Sequence, residues 1–333
     1  MKDYAVIYNP ISAAGKTKKQ FELVKKTLEN LNISFDLFQT EYFTHAITLA
    51  NDLANDGYRI IAAGGDGTCN EVLNGVINSN THELLGFIPM GTGNDIPGAV
   101  GYAPKDVKRA CEIIASGNTG PVDVGVSINS SGEKRYFLGI GSQGFDAEVT
   151  QRTNEGSKLL PGTWNYIASV IRSVFGFKKR HIKLTTDSET FEGLCNLVAV
   201  GNGPTYGGFM YMCPRAKVND GLFHISMVNM GRFELLYKFN TMYSRTLHPD
   251  PHIREFIGRK VKIEMVNDND NPYIAQVDGE IIGKLPVEYE CIRDGYIFIK
   301  PKENEAEKWF MKRYGKKFSK HLEELQNKGI EYY

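Results

Sequence analysis

Three glycine-bearing segments carry the residue types that hold a polyphosphate. Gly64-Gly65-Asp66-Gly67-Thr68 follows the apolar run Arg59 to Ala63 and precedes a helical stretch. Glycine there lets backbone N–H groups come close to phosphate oxygens, and the helix N-terminus adds a favourable dipole. A tight turn with glycines at positive φ is the plainer alternative. Three glycines around an aspartate, between strand and helix, favour phosphate binding over it. Asn9-Pro10-Ile11-Ser12-Ala13-Ala14-Gly15-Lys16-Thr17 is like the second half of a P-loop, but Pro10 stands where that motif needs its first glycine. What survives is a Ser/Gly/Lys turn at the end of the first strand. Met90-Gly91-Thr92-Gly93-Asn94-Asp95 is a third polar turn, and three such turns at one sheet edge imply a ligand.

The elements that position these turns alternate. Strands are expected at Ala5–Tyr8, Ser34–Gln39, Arg59–Ala63 and Leu84–Pro89. Helical spacing runs from Lys16 to Leu31, from a Thr44 cap to Gly57, over Glu71–Asn78, and from Pro104 through Ile114. Strand and helix in turn make an α/β nucleotide-binding domain with a parallel sheet covered by helices. After Val122 the pattern changes to segments rich in Val, Ile, Phe and Tyr between turn clusters, which predicts a β-rich antiparallel sandwich or barrel. Helical insertions are expected near Trp164–Phe175 and Phe233–Tyr243, and a helix from Glu303 onward. The expected units are residues 1–124 with 301–333, and residues 125–300.

At 333 residues the chain is long enough for two cores. Lys plus Arg and Asp plus Glu are equal at 39 each, so no global charge points to nucleic acid. No apolar run is long enough to span a bilayer, and nothing at the start reads as a signal peptide. Five widely spaced cysteines without C-x-x-C suggest reduced thiols in a cytoplasmic setting.

Taken together, GGDGT followed by P-x-GTGND resembles the diacylglycerol kinase catalytic family, which includes sphingosine, ceramide and bacterial lipid kinases. The resemblance continues through Asn202-Gly203, Tyr206-Gly207-Gly208, Pro214, Lys217, Asp220-Gly221-Leu222 and Val277-Asp278-Gly279-Glu280. It implies an ATP- and Mg²⁺-dependent kinase acting on a lipid hydroxyl such as that of diacylglycerol, visiting the membrane surface transiently, with a homodimer left open. By the same resemblance, ATP would be held by Asn9, Pro10, Ser12, Gly15, Lys16, Thr40, Gly64, Gly65, Asp66, Gly67, Thr68, Glu71, Gly91, Thr92 and Asn94. Asp66, Asp95 and Asp123 would hold the catalytic Mg²⁺. Lys217, Asp220 and Leu222 would hold a structural one through two carbonyls and a carboxylate, oxygen ligands that suit a hard cation. Asp278 is expected as the base and Glu280 as its support, an order that sequence cannot fix. An Asp-Gly hairpin turn is an equally natural reading of that segment.

The family carries an aromatic residue and an Arg soon after Asn-Asp, whereas Ile96-Pro97-Gly98 stand here, so no cation is expected at that loop. GGDGT alone is shared with nicotinamide-dinucleotide kinases and phosphofructokinases. The first of these is the rival enzyme reading, and a non-catalytic nucleotide or lipid sensor is the other. Gly139-Ile140-Gly141-Ser142-Gln143-Gly144 fits G-x-G-x-x-G but lies among antiparallel strands, so a dinucleotide site is not expected. In the C-terminal helix Phe310, Tyr314, Phe318, Leu322 and Leu325 form a stripe beside many lysines. Packing of that stripe on the protein is favoured over membrane contact.

Overall fold

The computed structural model describes residues 3–10, 17–81, 83–155, 177–267 and 271–332. The first part comprises β1 (Tyr4–Tyr8), α1 (Thr17–Asn30), β2 (Phe35–Gln39), α2 (His45–Asn55), β3 (Arg59–Gly64), α3 (Asp66–Ile77), β4 (Leu85–Pro89), α4 (Asp95–Ala99) and α5 (Val107–Ser116). The second continues with β5 (Thr119–Asn129), β6 (Lys134–Phe137), β7 (Ile140–Gly144), α6 (Phe145–Glu155), β8 (Arg180–Thr186), β9 (Thr190–Cys195), β10 (Leu197–Gly201), β11 (Thr205–Tyr206) and β12 (Met210–Tyr211). It closes with β13 (Phe223–Val228), α7 (Arg232–Tyr243), β14 (Ile253–Gly258), β15 (Lys260–Met265), β16 (Ile274–Val277), β17 (Glu280–Lys284), β18 (Val287–Ile299) and α8 (Glu305–Asn327).

Strands β2-β1-β3-β4 pair in parallel. Their near-continuous apolar runs, such as Ala5-Val6-Ile7 and Ile60-Ile61-Ala62-Ala63, are buried because helices cover both faces. A parallel arrangement puts every strand's C-terminal end on one edge, and the turns after β1, β3 and β4 are the three polar segments. The second domain is a sandwich. One layer is the six-stranded sheet β14-β13-β10-β7-β16-β17. The other is formed by β18, β15, β8 and β9, which extend the first domain's sheet. Phe137, Ile182, Leu184, Val198, Phe223, Ile263 and Tyr289 fill the space between the layers.

The structure corrects several expectations. Helix α3 starts at Asp66, inside GGDGT, with Gly65 as its cap, rather than at Glu71. Thr44 sits at the α2 cap position but its side chain makes no cap bond; the Glu71 carboxylate accepts from Thr44 N (3.3 Å) and Ala46 N (3.2 Å) instead. Helix α5 opens at Val107 beneath an Asp106 cap, not at Pro104. Strands β6 and β7 belong to different sheets, so the chain passes between sheets at Leu138-Gly139. The insertion near Trp164–Phe175 lies outside the described residues.

The expected boundary at 124/125 falls inside β5, whereas that at 300/301 falls in the connection between β18 and α8. Strand β5 runs unbroken through residue 124, and β18 pairs with it along both domains. Phe298 of β18 also pairs in parallel with Leu85 of β4. Helix α8 was expected to return to the first domain, yet only its first turn does so: Glu305 N and Ala306 N donate to Gly101 O (2.9 and 3.1 Å). Its body packs on the second domain, burying Phe310, Phe318 and Leu325 around Tyr211. The Arg245 guanidinium lies 4.1 and 4.2 Å from the Tyr211 and Phe310 ring centroids and makes a two-pronged pair with Glu307. All five cysteines are free and buried. Among the described residues no helix is long and apolar enough to cross a membrane.

Candidate active site

The turns after β3 and β4 touch backbone to backbone. A Cβ built on Gly91 would lie 2.5 Å from Gly65 Cα, and one built on Gly64 would lie 2.6 Å from Thr68 Cβ. Only glycine permits that approach. Asn94, in the left-handed region at φ 68°, closes its own turn by accepting from Gly91 N (2.8 Å) and donating to Gly91 O (3.0 Å). Thr92 is exposed at the tip, while Thr40 is buried at the end of β2 with its N–H on Tyr8 O. Asn9 and Pro10 follow β1 on the same edge; Ser12, Gly15 and Lys16 lie outside the described residues. Gly91→Ala is expected to cost about 1–3 kcal/mol by overpacking and to weaken nucleotide binding, read by thermal denaturation with and without ATP. Unchanged stability would mean the two turns can separate.

Two carboxylates meet at this edge. Asp66, the first residue of α3, accepts from Asn94 N (2.8 Å) and Ile96 N (2.9 Å). Asp95, the first residue of α4, accepts from Gly208 N (2.6 Å) and Phe209 N (2.8 Å), so it clamps the first domain to the β11–β12 hairpin. A Cβ on Gly93 would lie 2.7 Å from Asp66 Oδ2 and 3.1 Å from Asp95 Oδ2, which places that glycine between them. Burial, then the Asp95 charge, push the Asp66 carboxyl up to about 7. Burial also raises Asp95, against the pull of its two amide donors. Among the described residues neither forms an ion pair with Lys or Arg. A half-buried and a buried acid without a counter-cation are a donor set that a divalent ion with retained waters fits.

Asp123 is fully buried, and its carboxylate accepts from Gly221 N (2.6 Å) and Asp294 N (2.8 Å), which joins it to the 217–222 loop. In that loop Asp220 accepts from Leu222 N (3.0 Å) and lies 3.3 Å from His224 Nε2. Outside the helices and strands, no backbone hydrogen bond among the described residues ends on the carbonyls of Lys217 or Leu222, oxygens of the kind a hard cation takes.

From the second domain, β16 and β17 bring a two-residue turn to α3. Asp278 and Gly279 both have positive φ (49° and 90°), the twist that suits a tight hairpin. The Asp278 carboxylate accepts from Leu138 N (3.0 Å), Gly139 N (2.9 Å) and Asn70 Nδ2 (3.1 Å). Burial pushes it up to about 6 even so. Glu280 accepts no hydrogen bond among the described residues, and its Oε1 is 3.6 Å from where a Cβ on Gly67 would stand. Burial raises Glu280, and the charge of Arg135 pulls it down.

Asn70 and Arg135 are the site residues that sequence reasoning missed. Asn70 is buried one turn after Asp66 on α3; it donates to Asp278 and to Tyr136 O (3.0 Å) and accepts from Arg135 Nε (2.9 Å). Its place four residues after Asp66 was the available signal. Glu71, expected near ATP, is instead engaged as the α2 cap. Gly98, where a loop cation was not expected, lies under the Phe209 ring, 2.7 Å from a built Cβ.

Comparison with known proteins fits this arrangement. Residues 3–127 match the model of the diacylglycerol kinase catalytic domain, and residues 139–295 that of the YegS C-terminal NAD kinase beta sandwich-like domain. A diacylglycerol kinase from Staphylococcus saprophyticus is 32% identical over 285 residues, 84% of this chain and 90% of that protein. The chain belongs to the diacylglycerol kinase family. A second member, the diacylglycerol kinase of Bacillus subtilis, is 30% identical over 312 residues, 91% of this chain and 98% of its own. A solved structure described as a diacylglycerol kinase from Bacillus anthracis covers 90% of this chain and 97% of its own, with a TM-score of 0.69 at 21% identity. Another from that organism reaches 0.73 at 24%. These structures share the two-domain fold, with an α/β domain followed by a β-rich antiparallel one.

Proposed function

We propose that the protein transfers the γ-phosphoryl group of ATP to the hydroxyl of diacylglycerol or a closely related lipid, giving phosphatidic acid in the first case. One observation carries this reading: the Asp278-Gly279-Glu280 turn of the second domain is pinned onto the helix that begins in GGDGT, with Glu280 beside Gly67. An acidic group from one domain thus faces the phosphate-type turn of the other, as transfer between two substrates requires.

In this reading residues from Asn9–Lys16, Thr40, Gly64–Thr68 and Gly91–Asn94 hold the nucleotide. Asp66 and Asp95 would hold Mg²⁺, which would offset the triphosphate charge. Asp123 shapes the loop of Lys217, Asp220 and Leu222, where a structural cation would sit. For the base, the hydrogen bonding supports Glu280 over Asp278. Asp278 already accepts from three donors, which fixes the turn, whereas Glu280 has lone pairs to spare. The lipid oxygen attacks the γ-phosphorus, the bond to the β-phosphate oxygen breaks, ADP leaves, and the hydroxyl proton passes to Glu280. A loose transition state asks little of that base.

The test is phosphate transfer from labelled ATP with Mg²⁺ to diacylglycerol, ceramide, sphingosine and a nicotinamide dinucleotide, the lipids in mixed micelles. Transfer to a lipid is expected. Transfer to the dinucleotide alone would overturn the reading in favour of the rival kinase.

A further inference from the structure

The charge of this neutral chain is unevenly placed. Residues 308–320 carry Lys308, Lys312, Arg313, Lys316, Lys317 and Lys320 and no acidic residue, although Lys plus Arg and Asp plus Glu are equal over the whole sequence. Helix α8 sorts these residues by face. Phe310, Phe318 and Leu325 are buried against the second domain, which answers the packing expectation for the stripe. Lys312, Lys316 and Lys320 recur at i, i+4 and i+8, so they form one ridge on the opposite face, with Arg313 and Lys317 beside it. All five are exposed. Lys308 is paired with Glu303 at 2.5 Å and Lys320 lies 3.8 Å from Glu324, but Lys312, Lys316 and Lys317 form no ion pair among the described residues.

We propose that this outward face of α8 is the docking surface for an anionic phospholipid bilayer. The inference rests on the lipid-kinase reading, because an acceptor held in a bilayer must be met at its surface. Charge complementarity selects the partner: a row of unpaired ammonium groups on a rigid helix matches a plane of phosphate headgroups. A nucleic acid fits less well. The chain is not basic overall, and the aromatic rings near the row are already engaged within the protein: Trp309 packs on Phe209 and Tyr314 on Phe310, and the Arg313 guanidinium lies over both.

The test is co-sedimentation of the full chain, without ATP, with phosphatidylcholine vesicles that contain either no anionic lipid or about one third phosphatidylglycerol. Binding to the anionic vesicles alone, weakened by salt, is expected. The variant Lys312→Gln/Lys316→Gln/Lys317→Gln/Lys320→Gln should fold normally by circular dichroism, since the four side chains are exposed. It should lose affinity by about a hundredfold or more, at about fivefold per lysine. Equal partition of wild type and variant, indifference of the wild type to vesicle charge, or tighter binding to a duplex RNA competitor would each overturn the proposal. Transfer to a short-chain, monomeric diacylglycerol is measured in parallel. If both proteins phosphorylate it equally while vesicle binding is also equal, docking fails and the kinase reading stands. If vesicles bind through these lysines but no lipid is phosphorylated, docking stands and the kinase reading fails.

Discussion

Glu280→Gln is expected to lower kcat for phosphate transfer by about 10²–10⁴-fold, the usual contribution of a positioned base, while leaving ATP binding nearly unchanged. The substitution keeps shape and removes basicity. Glu280 stands at the start of β17 beside Gly67 with no hydrogen bond to lose, so the fold should tolerate it. The neighbouring acid behaves differently. Asp278→Asn turns an amide donor towards Leu138 N or Gly139 N, and leaving one such donor unpaired costs about 1–3 kcal/mol. Its activity loss should therefore come with a lower melting temperature. The wild-type rate should fall as pH drops through the raised value of Glu280, because only the carboxylate accepts a proton. Glu280→Gln should erase that limb. A kcat within roughly threefold of wild type would remove Glu280 from the role of base, and a normal kcat in Asp278→Asn would show the turn needs no pinning.

Asp66→Asn should reduce kcat/KM for Mg·ATP by about 10³-fold or more, several kcal/mol of lost metal-assisted stabilisation. Its effect on stability runs the other way. In the folded chain burial and the Asp95 charge hold Asp66 near 7, whereas an unfolded Asp titrates near about 4. The folded state binds the extra proton, so its contribution to stability is full below about pH 4 and is lost as pH rises through about 7. In chelator, the wild-type melting temperature should fall across that window. Asp66→Asn, which carries no charge there, should show a smaller fall, and Mg²⁺ should restore the wild type but not the variant. Identical pH profiles for the two proteins would mean that the surroundings of Asp66 do not raise its proton affinity in the folded chain.

The nucleotide edge was readable because its signals are local. A glycine cluster between an apolar strand and a helix specifies a turn within a few residues, and alternating strands and helices put Gly65 and Gly91 at one sheet edge. The helix start was missed inside the same motif, because glycine has low helix propensity and only the packed structure overrides it. Asn70 escaped notice for a different reason: its partner Asp278 lies 208 residues away, and that pairing exists only when the sandwich docks on α3. Asp123 was grouped with Asp66 and Asp95 by family pattern, and strand register along β5 and β18 sets it against Gly221 and Asp294.

By itself the sequence determined the two fold classes, the phosphate-type turns and the acidic residues that could act there. Those features depend on residue type and short spacing, which the chain carries wherever it goes. The tertiary structure decided which acids meet, which of Asp278 and Glu280 keeps its lone pairs, and which domain receives α8. These depend on burial and on hydrogen bonds between distant segments: Asp278 is held by Asn70 and the Leu138-Gly139 amides, and α8 by the Arg245, Tyr211 and Phe310 stack. No short window of sequence contains both halves of such a contact.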